Sequence, residues 1–96
     1  MIQSFRDKAA ADLFRDRNTR AARRIPQALW RGAQRKLKLL DAAVRLDDLV
    51  VPAGNRLEAL KGELAGRHSI RVNDQYRITF QWESGHAYEV DVEDYH

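Results

Sequence analysis

Two arginines, a lysine and a terminal histidine are the residues of this chain whose types and spacing suggest chemistry. Arg71 and Arg77 flank a short turn, Lys61 stands ten residues before Arg71, and His96 ends the sequence. Guanidinium groups bind phosphate oxygens, and imidazole transfers protons because it titrates near neutral pH. Such a set of side chains is suited to cleaving RNA without a metal ion.

The residues around the two arginines predict a β-hairpin with a defined register. Val72 and Tyr76 are both apolar and are expected on the same buried face of a sheet. Pairing them leaves residues 73–75 as the loop, and it places Arg71 directly opposite Arg77.

Two like charges in opposed positions destabilise a sheet, so a negative charge is expected beside them. One candidate is a bound phosphate, which guanidinium forks fit well. The other is a carboxylate of the following strand, Asp91 or Glu93, in an ordinary cross-strand ion pair. The residues alone leave both alternatives open.

The remaining polar candidates also have simple structural explanations. A terminal histidine is often an exposed residue without a catalytic role, and Lys61 is equally consistent with an ordinary solvated lysine. His68 and His86 lie in or beside predicted loops and are expected on the surface. The chain has no cysteine and no ligand-spaced histidines, so neither a metal nor another cofactor is expected.

The elements that position these residues follow from hydropathy patterns. A first strand is predicted at Ile2 to Phe5, a short helix at Lys8 to Arg15, and a second helix from Pro26 onward. Short strands are predicted at Arg56 to Leu60 and around Ile70, Ile78 and Val90. One apolar stripe marks the second helix: Ile25, Leu29, Ala33, Leu37, Leu40 and Val44. The order β-α-α-β-β-β-β predicts a single α+β domain over residues 1–96, with two helices on one face of an antiparallel sheet.

Charge is distributed unevenly along the chain. Residues 1–45 hold 12 Lys and Arg against 4 Asp and Glu, whereas residues 46–96 hold 5 against 10. The basic half suggests an anionic partner for one surface. Residues 16–24 carry four arginines and are expected to form an exposed, mobile loop. Its Arg20, Arg23 and Arg24 either contact the RNA backbone or are simply solvated.

No apolar run approaches the length of a membrane span, roughly 18 residues. The N-terminus has charges where a signal peptide needs an apolar stretch. A cytoplasmic protein without membrane contact is therefore expected.

Several motifs resemble those of HigB-type toxins, the plasmid maintenance killer family of the RelE superfamily. They are the M-I-x-S-F opening, GNRLEAL, SIRVNDQYR and the closing D-Y-H. The resemblance implies a RelE-like fold and a toxin that enters the ribosomal A site and cuts mRNA there. It also implies a HigA-type helix-turn-helix antitoxin that neutralises the toxin, and operator DNA would be contacted only through that antitoxin.

The resemblance also assigns roles to residues. Arg77 matches the phosphate-holding arginine and Lys61 a catalytic lysine. The terminal catalytic stretch corresponds to Asp94, Tyr95 and His96. Strand parity places Asp94 and His96 on the face opposite Arg77 unless the strand bends or ends near Glu93.

Two departures from the family pattern concern catalysis. Some relatives have a histidine at Glu58 and an arginine at Asn73. Glu58 is then the candidate base, and Arg71 is the candidate replacement for the missing cation. Arg56 and Asn73 are expected to contact RNA beside Arg71. The departures leave open a weakly active homologue that acts mainly by binding its antitoxin, and a plain RNA-binding domain is a third alternative.

Overall fold

The computed structural model describes residues 1–94, apart from the side chain of Leu64, and confirms the α+β class. The α-helices are α1 (Lys8–Phe14) and α2 (Trp30–Ala42), and the strands are β1 (Glu58–Ala59), β2 (Arg67–Arg71), β3 (Tyr76–Glu83) and β4 (His86–Asp94). The four strands form an antiparallel sheet in the order β1-β2-β3-β4. Within residues 1–94, neither helix has the length and apolar character needed to cross a membrane.

The predicted first strand is present only as two isolated bridges. Ile2 pairs with Ala87 and Phe5 with Val90, both in parallel orientation to β4. Backbone hydrogen bonds from Gln3 to Ala87 at 2.8 Å and from Arg6 to Val90 at 2.9 Å hold this segment. The segment therefore covers the free edge of β4 and adds parallel pairing to an otherwise antiparallel sheet.

The helices pack on one face of the sheet, as their apolar patterns predict. Asp7 caps α1 by accepting a hydrogen bond from the Ala9 amide at 3.3 Å. The apolar stripe of α2 is buried at Ala33, Leu37 and Leu40, each fully inaccessible to solvent. Apolar burial of this kind provides most of the stability of short helices.

Both ends of the predicted second helix need correction. Pro26 precedes a 3₁₀ turn (Gln27–Leu29), and the α-helix begins only at Trp30. At the other end, Val44 is 72% exposed because α2 ends at Ala42. Val44 belongs to the sequence stripe but lies beyond the helix that would have buried it.

The predicted hairpin register is confirmed. Arg71 pairs with Arg77 across β2 and β3, and the Val72 amide donates to the Tyr76 carbonyl at 3.0 Å. Tyr76 is 9% exposed and belongs to the core, while Val72 packs against that core. The helix side of the sheet therefore holds the apolar residues, as the parity argument requires.

A bulge changes the alternation along β4. The register shifts between Thr79 and Gln81, and Glu89 has a left-handed backbone with φ 51°. Beyond this bulge, Asp91 pairs with Thr79 and Glu93 with Arg77. One of the two carboxylates proposed as a cross-strand neighbour of Arg77, Glu93, is thus its register partner.

The arginine-rich segment 16–24 is exposed at its arginines but is not without buried contacts. Ala22 is fully buried. Thr19 donates to Asp12 at 2.6 Å and accepts from the Ala22 amide at 3.1 Å. The expectation that this segment is an exposed loop is wrong at Ala22. Its mobility stays a prediction.

His68 is also more buried than expected. It lies within β2, its ring stacks on Phe80 with centroids 6.0 Å apart, and burial lowers the pKa of the imidazole. Among residues 1–94, no hydrogen-bond partner lies at its Nδ1 atom, which is buried. His68 is therefore a half-buried ring that stacks on the core residue Phe80, and not the surface group that was expected.

Candidate active site on the polar face of the sheet

The side of the sheet away from the helices carries a cluster of polar residues, which we call the polar face. Direct cross-strand partners point to the same face, so the register defines its members. They lie on all four strands, and most are buried although they are polar or charged. The polar face comprises Glu58, Arg67, Ser69, Arg71, Arg77, Thr79, Asp91 and Glu93.

Arg77 lies at the centre of this face and is only 7% exposed. Its Nε donates to the Ser69 hydroxyl at 2.7 Å, and its Nη2 donates to the Arg56 carbonyl at 2.6 Å. A longer contact of 3.4 Å joins Nη2 to the Ser69 carbonyl. The guanidinium is therefore held from two sides, and its orientation is fixed by the fold.

Arg71 differs from its cross-strand partner in environment. Its guanidinium forms an ion pair with Asp74 in the hairpin loop, and its side chain is 31% exposed. The negative charge that compensates Arg71 thus comes from the loop, which neither alternative drawn from the sequence included. Since Asp74 is almost fully exposed, this pair contributes little stability.

Asn73 shapes the hairpin loop. Its side-chain oxygen accepts from the backbone amides of Gln75 at 2.9 Å and Tyr76 at 2.7 Å. This is the turn-stabilising role typical of asparagine. Asn73, which was expected to contact RNA, thus uses its side-chain oxygen to hold the turn between Arg71 and Arg77.

A hydrogen-bonded chain that the sequence did not predict lies beside Arg77. The Arg67 Nη2 donates to the Thr79 hydroxyl at 3.0 Å and to the Glu89 carbonyl at 2.8 Å. The Thr79 hydroxyl in turn donates to a Glu93 carboxylate oxygen. Alternation along β3 could have placed Thr79 on this face, but its partners depend on the β4 bulge.

The edge of the polar face is formed by β1 and the residues around it. Glu58 is exposed and pairs with Ser69, the residue whose hydroxyl accepts from Arg77. Lys61 is exposed and immediately precedes the 3₁₀ turn that follows β1. Arg56 has a left-handed backbone with φ 45° and contributes its carbonyl oxygen to Arg77.

The C-terminal candidates fall at the end of β4. Asp94 pairs with Tyr76, so its register position is out of phase with Arg77, as the parity argument predicts. Its carboxylate accepts from the Gln75 side chain at 2.8 Å. Tyr95 and His96 lie outside the described residues.

The loop arginines lie at the opposite edge of the sheet. Arg24 forms an ion pair with Asp7, donates to the Val92 carbonyl at 3.0 Å and lies 3.6 Å from an Asp91 oxygen. Arg23 donates to Asn18 at 3.1 Å, and Arg20 is exposed. Arg24 thus has a structural role that the sequence did not predict, whereas Arg20 points to solvent.

The polar face combines carboxylates and guanidinium groups whose pKa values are shifted by burial and by one another. Burial and the neighbouring Glu93 raise the pKa of Asp91, while Arg24 acts in the other direction. Burial and the nearby Arg6 lower the pKa of Arg67, whose guanidinium nevertheless stays charged at neutral pH. Fixed guanidinium groups of this kind stabilise charge that develops on a phosphate.

Comparison with known proteins identifies relatives over the whole chain. A family model described as "RelE-like toxin of type II toxin-antitoxin system HigB" matches residues 3–96. The chain is 45% identical over 87 residues to "Toxin HigB-1" of Vibrio cholerae serotype O1 (strain ATCC 39315 / El Tor Inaba N16961), covering 91% of this chain and 90% of that protein. It is 35% identical over 100 aligned residues to "Endoribonuclease HigB" of Proteus vulgaris, with complete coverage of both chains.

Solved structures agree on the fold. A chain of the YoeB-YefM complex from Staphylococcus aureus superposes with a TM-score of 0.61 at 17% identity, covering 100% of this chain and 98% of that chain. The YoeB dimer from the same organism gives a TM-score of 0.57 at 18% identity, with coverages of 99% and 97%. The family match and the two sequence relatives are decisive, and the chain belongs to the HigB-like toxin family, the RelE-like toxins of type II toxin-antitoxin systems.

Proposed function

We propose that this toxin is an endoribonuclease that cleaves mRNA in the ribosomal A site and thereby stops translation and growth. The observation that carries the proposal is the fixed guanidinium of Arg77, held by Ser69 and by the Arg56 carbonyl on a largely buried polar face. Support also comes from the relative of Proteus vulgaris, which is named an endoribonuclease and aligns over the full length.

The proposed reaction is a transesterification that needs no metal ion. The ribose 2′-oxygen forms a bond to the adjacent phosphorus, and the bond from phosphorus to the 5′-oxygen breaks. The 2′-proton passes to a base, and an acid protonates the leaving 5′-oxygen. The products are a 2′,3′-cyclic phosphate and a free 5′-hydroxyl.

In this proposal Arg77 stabilises the extra charge that develops on the phosphorane. An orientation fixed before the reaction lowers the reorganisation needed in the transition state. Arg71, at the hairpin end of the polar face, contacts the same or a neighbouring phosphate. Lys61, exposed beside the edge strand, supplies a second cation.

Proton transfer is assigned to residues at the two edges of the site. Glu58 is the candidate base because it pairs with Ser69, the residue that holds Arg77. The terminal residues Asp94, Tyr95 and His96 are the candidate acids. For these three residues the assignment rests on the family resemblance, because the register places Asp94 out of phase with Arg77.

The partner proposed for the toxin is a HigA-type helix-turn-helix antitoxin. Its support is the family, whose members belong to type II toxin-antitoxin systems, and the fold shared with a chain of the YoeB-YefM complex. The antitoxin would neutralise the toxin in the cytoplasm and bring it to operator DNA. The toxin itself would contact ribosome and mRNA.

A second candidate function is a weakly active toxin that serves mainly as the antitoxin's partner in operon regulation. The observation in its favour is the exposure of Glu58 and the hydrogen bonding of the Asn73 side chain. Glu58 is solvent-exposed, and the Asn73 side-chain oxygen caps the hairpin loop. Both positions carry a basic residue in some relatives.

Induced expression distinguishes the two candidates. The toxin is expressed with and without the neighbouring helix-turn-helix gene, and mRNA 5′ ends are mapped. New 5′-hydroxyl ends within codons, absent when Arg77 is replaced by alanine, support the endoribonuclease. Growth arrest without new ends, or none at equal expression, supports the second candidate. Purified toxin with naked mRNA or with programmed ribosomes tests ribosome dependence.

A further inference from the structure

Asn55 is a fully buried polar side chain in the segment that joins α2 to the sheet. The Lys36 ammonium donates to its side-chain oxygen. Its side-chain nitrogen donates to the Leu49 carbonyl at 3.2 Å, and its backbone amide donates to the Pro52 carbonyl at 3.0 Å. A buried amide whose groups are engaged in this way fixes the local backbone.

Arg56, which follows Asn55, links this fixed backbone to the polar face. Arg56 adopts a left-handed conformation, with φ 45° and ψ 58°. A non-glycine residue persists in that region only when its surroundings over-determine it. The consequence here is that the Arg56 carbonyl points to Arg77 and accepts from Nη2 at 2.6 Å.

Lys36 connects Asn55 to helix α2. It lies on α2, half-buried, and burial together with the nearby Arg35 and Arg71 lowers the pKa of its ammonium. A charged group in such a place needs an acceptor, and the Asn55 oxygen provides one. Lys36 on α2 is therefore linked to Arg77 in three steps: its hydrogen bond to Asn55, the backbone from Asn55 to Arg56, and the hydrogen bond from Arg77 to the Arg56 carbonyl.

We infer that Lys36 and Asn55 are positioning residues for Arg77: they hold the Arg56 carbonyl where it orients the guanidinium for phosphate. The inference rests on the proposed endoribonuclease function. Their effect on Arg77 is transmitted through the Arg56 carbonyl. A displacement of about 1 Å in a catalytic group can reduce the rate by roughly 100-fold, so a partial loss of orientation has a measurable effect.

The test compares Lys36→Met with Lys36→Arg and with Lys38→Met, a matched change at an exposed lysine of the same helix. Turnover and KM are measured on ribosomes programmed with mRNA. We expect Lys36→Met to lower kcat by about tenfold with little change in KM, since positioning and not RNA affinity is lost. Lys36→Arg, which keeps a cationic donor, should recover most of the rate. Lys38→Met should leave kcat unchanged.

A second measurement reports on Arg77 without RNA. In the ¹⁵N-labelled toxin, the Nε–H resonance of Arg77, which donates to Ser69, is expected to shift in Lys36→Met and to stay in place in Lys38→Met. Asn55→Asp provides an independent variant, because it retains an acceptor for Lys36 and removes the donor to Leu49. It should reproduce the same loss of kcat and the same shift.

In folded Lys36→Met protein, a wild-type kcat or an unshifted Arg77 resonance overturns the inference. A rise in KM at constant kcat also overturns it, because Lys36 would then act as an RNA contact. Failure of the proposed function has a different signature. Full cleavage by Arg77→Ala would remove the catalytic role of Arg77 while leaving the resonance shift in place.

Discussion

Arg71 and Arg77 are direct cross-strand partners, yet their guanidinium groups have separate environments. Arg71 pairs with Asp74 in the exposed loop, whereas Arg77 is 7% exposed and donates to Ser69 and to the Arg56 carbonyl. Opposed like charges are tolerated because each arginine has acceptors of its own. The hairpin therefore presents one partly exposed cation beside one that is oriented by the fold.

Replacement of Arg77 by alanine should abolish toxicity. Loss of one charge-stabilising donor costs about 2.7–4 kcal/mol in the transition state, or roughly 100- to 1000-fold in rate, by analogy with oxyanion-hole donors. The measurement is ribosome-dependent mRNA cleavage together with growth after induction. Arg20→Ala is the matched control. Arg20 is chosen over Arg24 because Arg24 forms hydrogen bonds with Asp7 and with the Val92 carbonyl and so has a structural role. Growth arrest equal to wild type at equal expression would leave Arg77 a structural residue.

Ser69→Ala should reduce both stability and cleavage. The change removes the acceptor of the Arg77 Nε within a buried site, and an unsatisfied buried donor costs about 1–3 kcal/mol. Chemical denaturation measures the loss of unfolding free energy, and single-turnover cleavage measures the rate. Ser84→Ala, at an exposed turn, should change neither. Unaltered cleavage by Ser69→Ala would show that Arg77 is oriented by other contacts.

Asp91→Asn should stabilise the toxin at neutral pH. Burial and Glu93 raise the pKa of Asp91, so between the unfolded and the folded pKa the folded protein retains a proton that the unfolded chain has lost. Stability therefore falls as pH rises from the unfolded pKa through the raised folded value. The gain from asparagine should be present above that window and vanish below it. Melting temperatures of both proteins across acidic and neutral pH test this; a gain that persists in acid would contradict it.

Thr19→Val should loosen the arginine-rich segment 16–24. The Thr19 hydroxyl, followed by Lys8, lowers the pKa of Asp12 and ties the segment to α1. Because the folded pKa is depressed, this stabilisation is present above the unfolded pKa and is lost as pH falls through the folded value. We expect faster proteolysis within residues 16–24 and a lower melting temperature at neutral pH. Asn18→Ala is the control. Equal rates of proteolysis in the two variants would show that the Thr19 hydroxyl does not hold the segment.

His96→Ala should slow cleavage without unfolding the domain. A positioned acid or base contributes about 100-fold or more, and a terminal residue usually buries little. Cleavage on programmed ribosomes and the melting temperature are measured, with His86→Ala as the control. A rate within about threefold of wild type would assign proton transfer to other groups.

The sequence by itself determined the class of fold and the hairpin register. Val72 and Tyr76 had to share a buried face, and with a period of two this fixes Arg71 opposite Arg77. The apolar stripe of the second helix was equally informative at Ala33, Leu37 and Leu40. It failed at Val44, because periodicity does not mark where a helix ends. The motifs GNRLEAL and SIRVNDQYR indicated the family to which the chain belongs.

Only the tertiary structure decided how the site is held together. The Arg56 carbonyl, the Ser69 hydroxyl and the Lys36–Asn55 pair meet through contacts between residues far apart in the chain. The β4 bulge, which places Glu93 opposite Arg77, adds a register shift that alternation does not encode. Such contacts depend on backbone direction and packing, whereas hydropathy reports only which side of an element is buried.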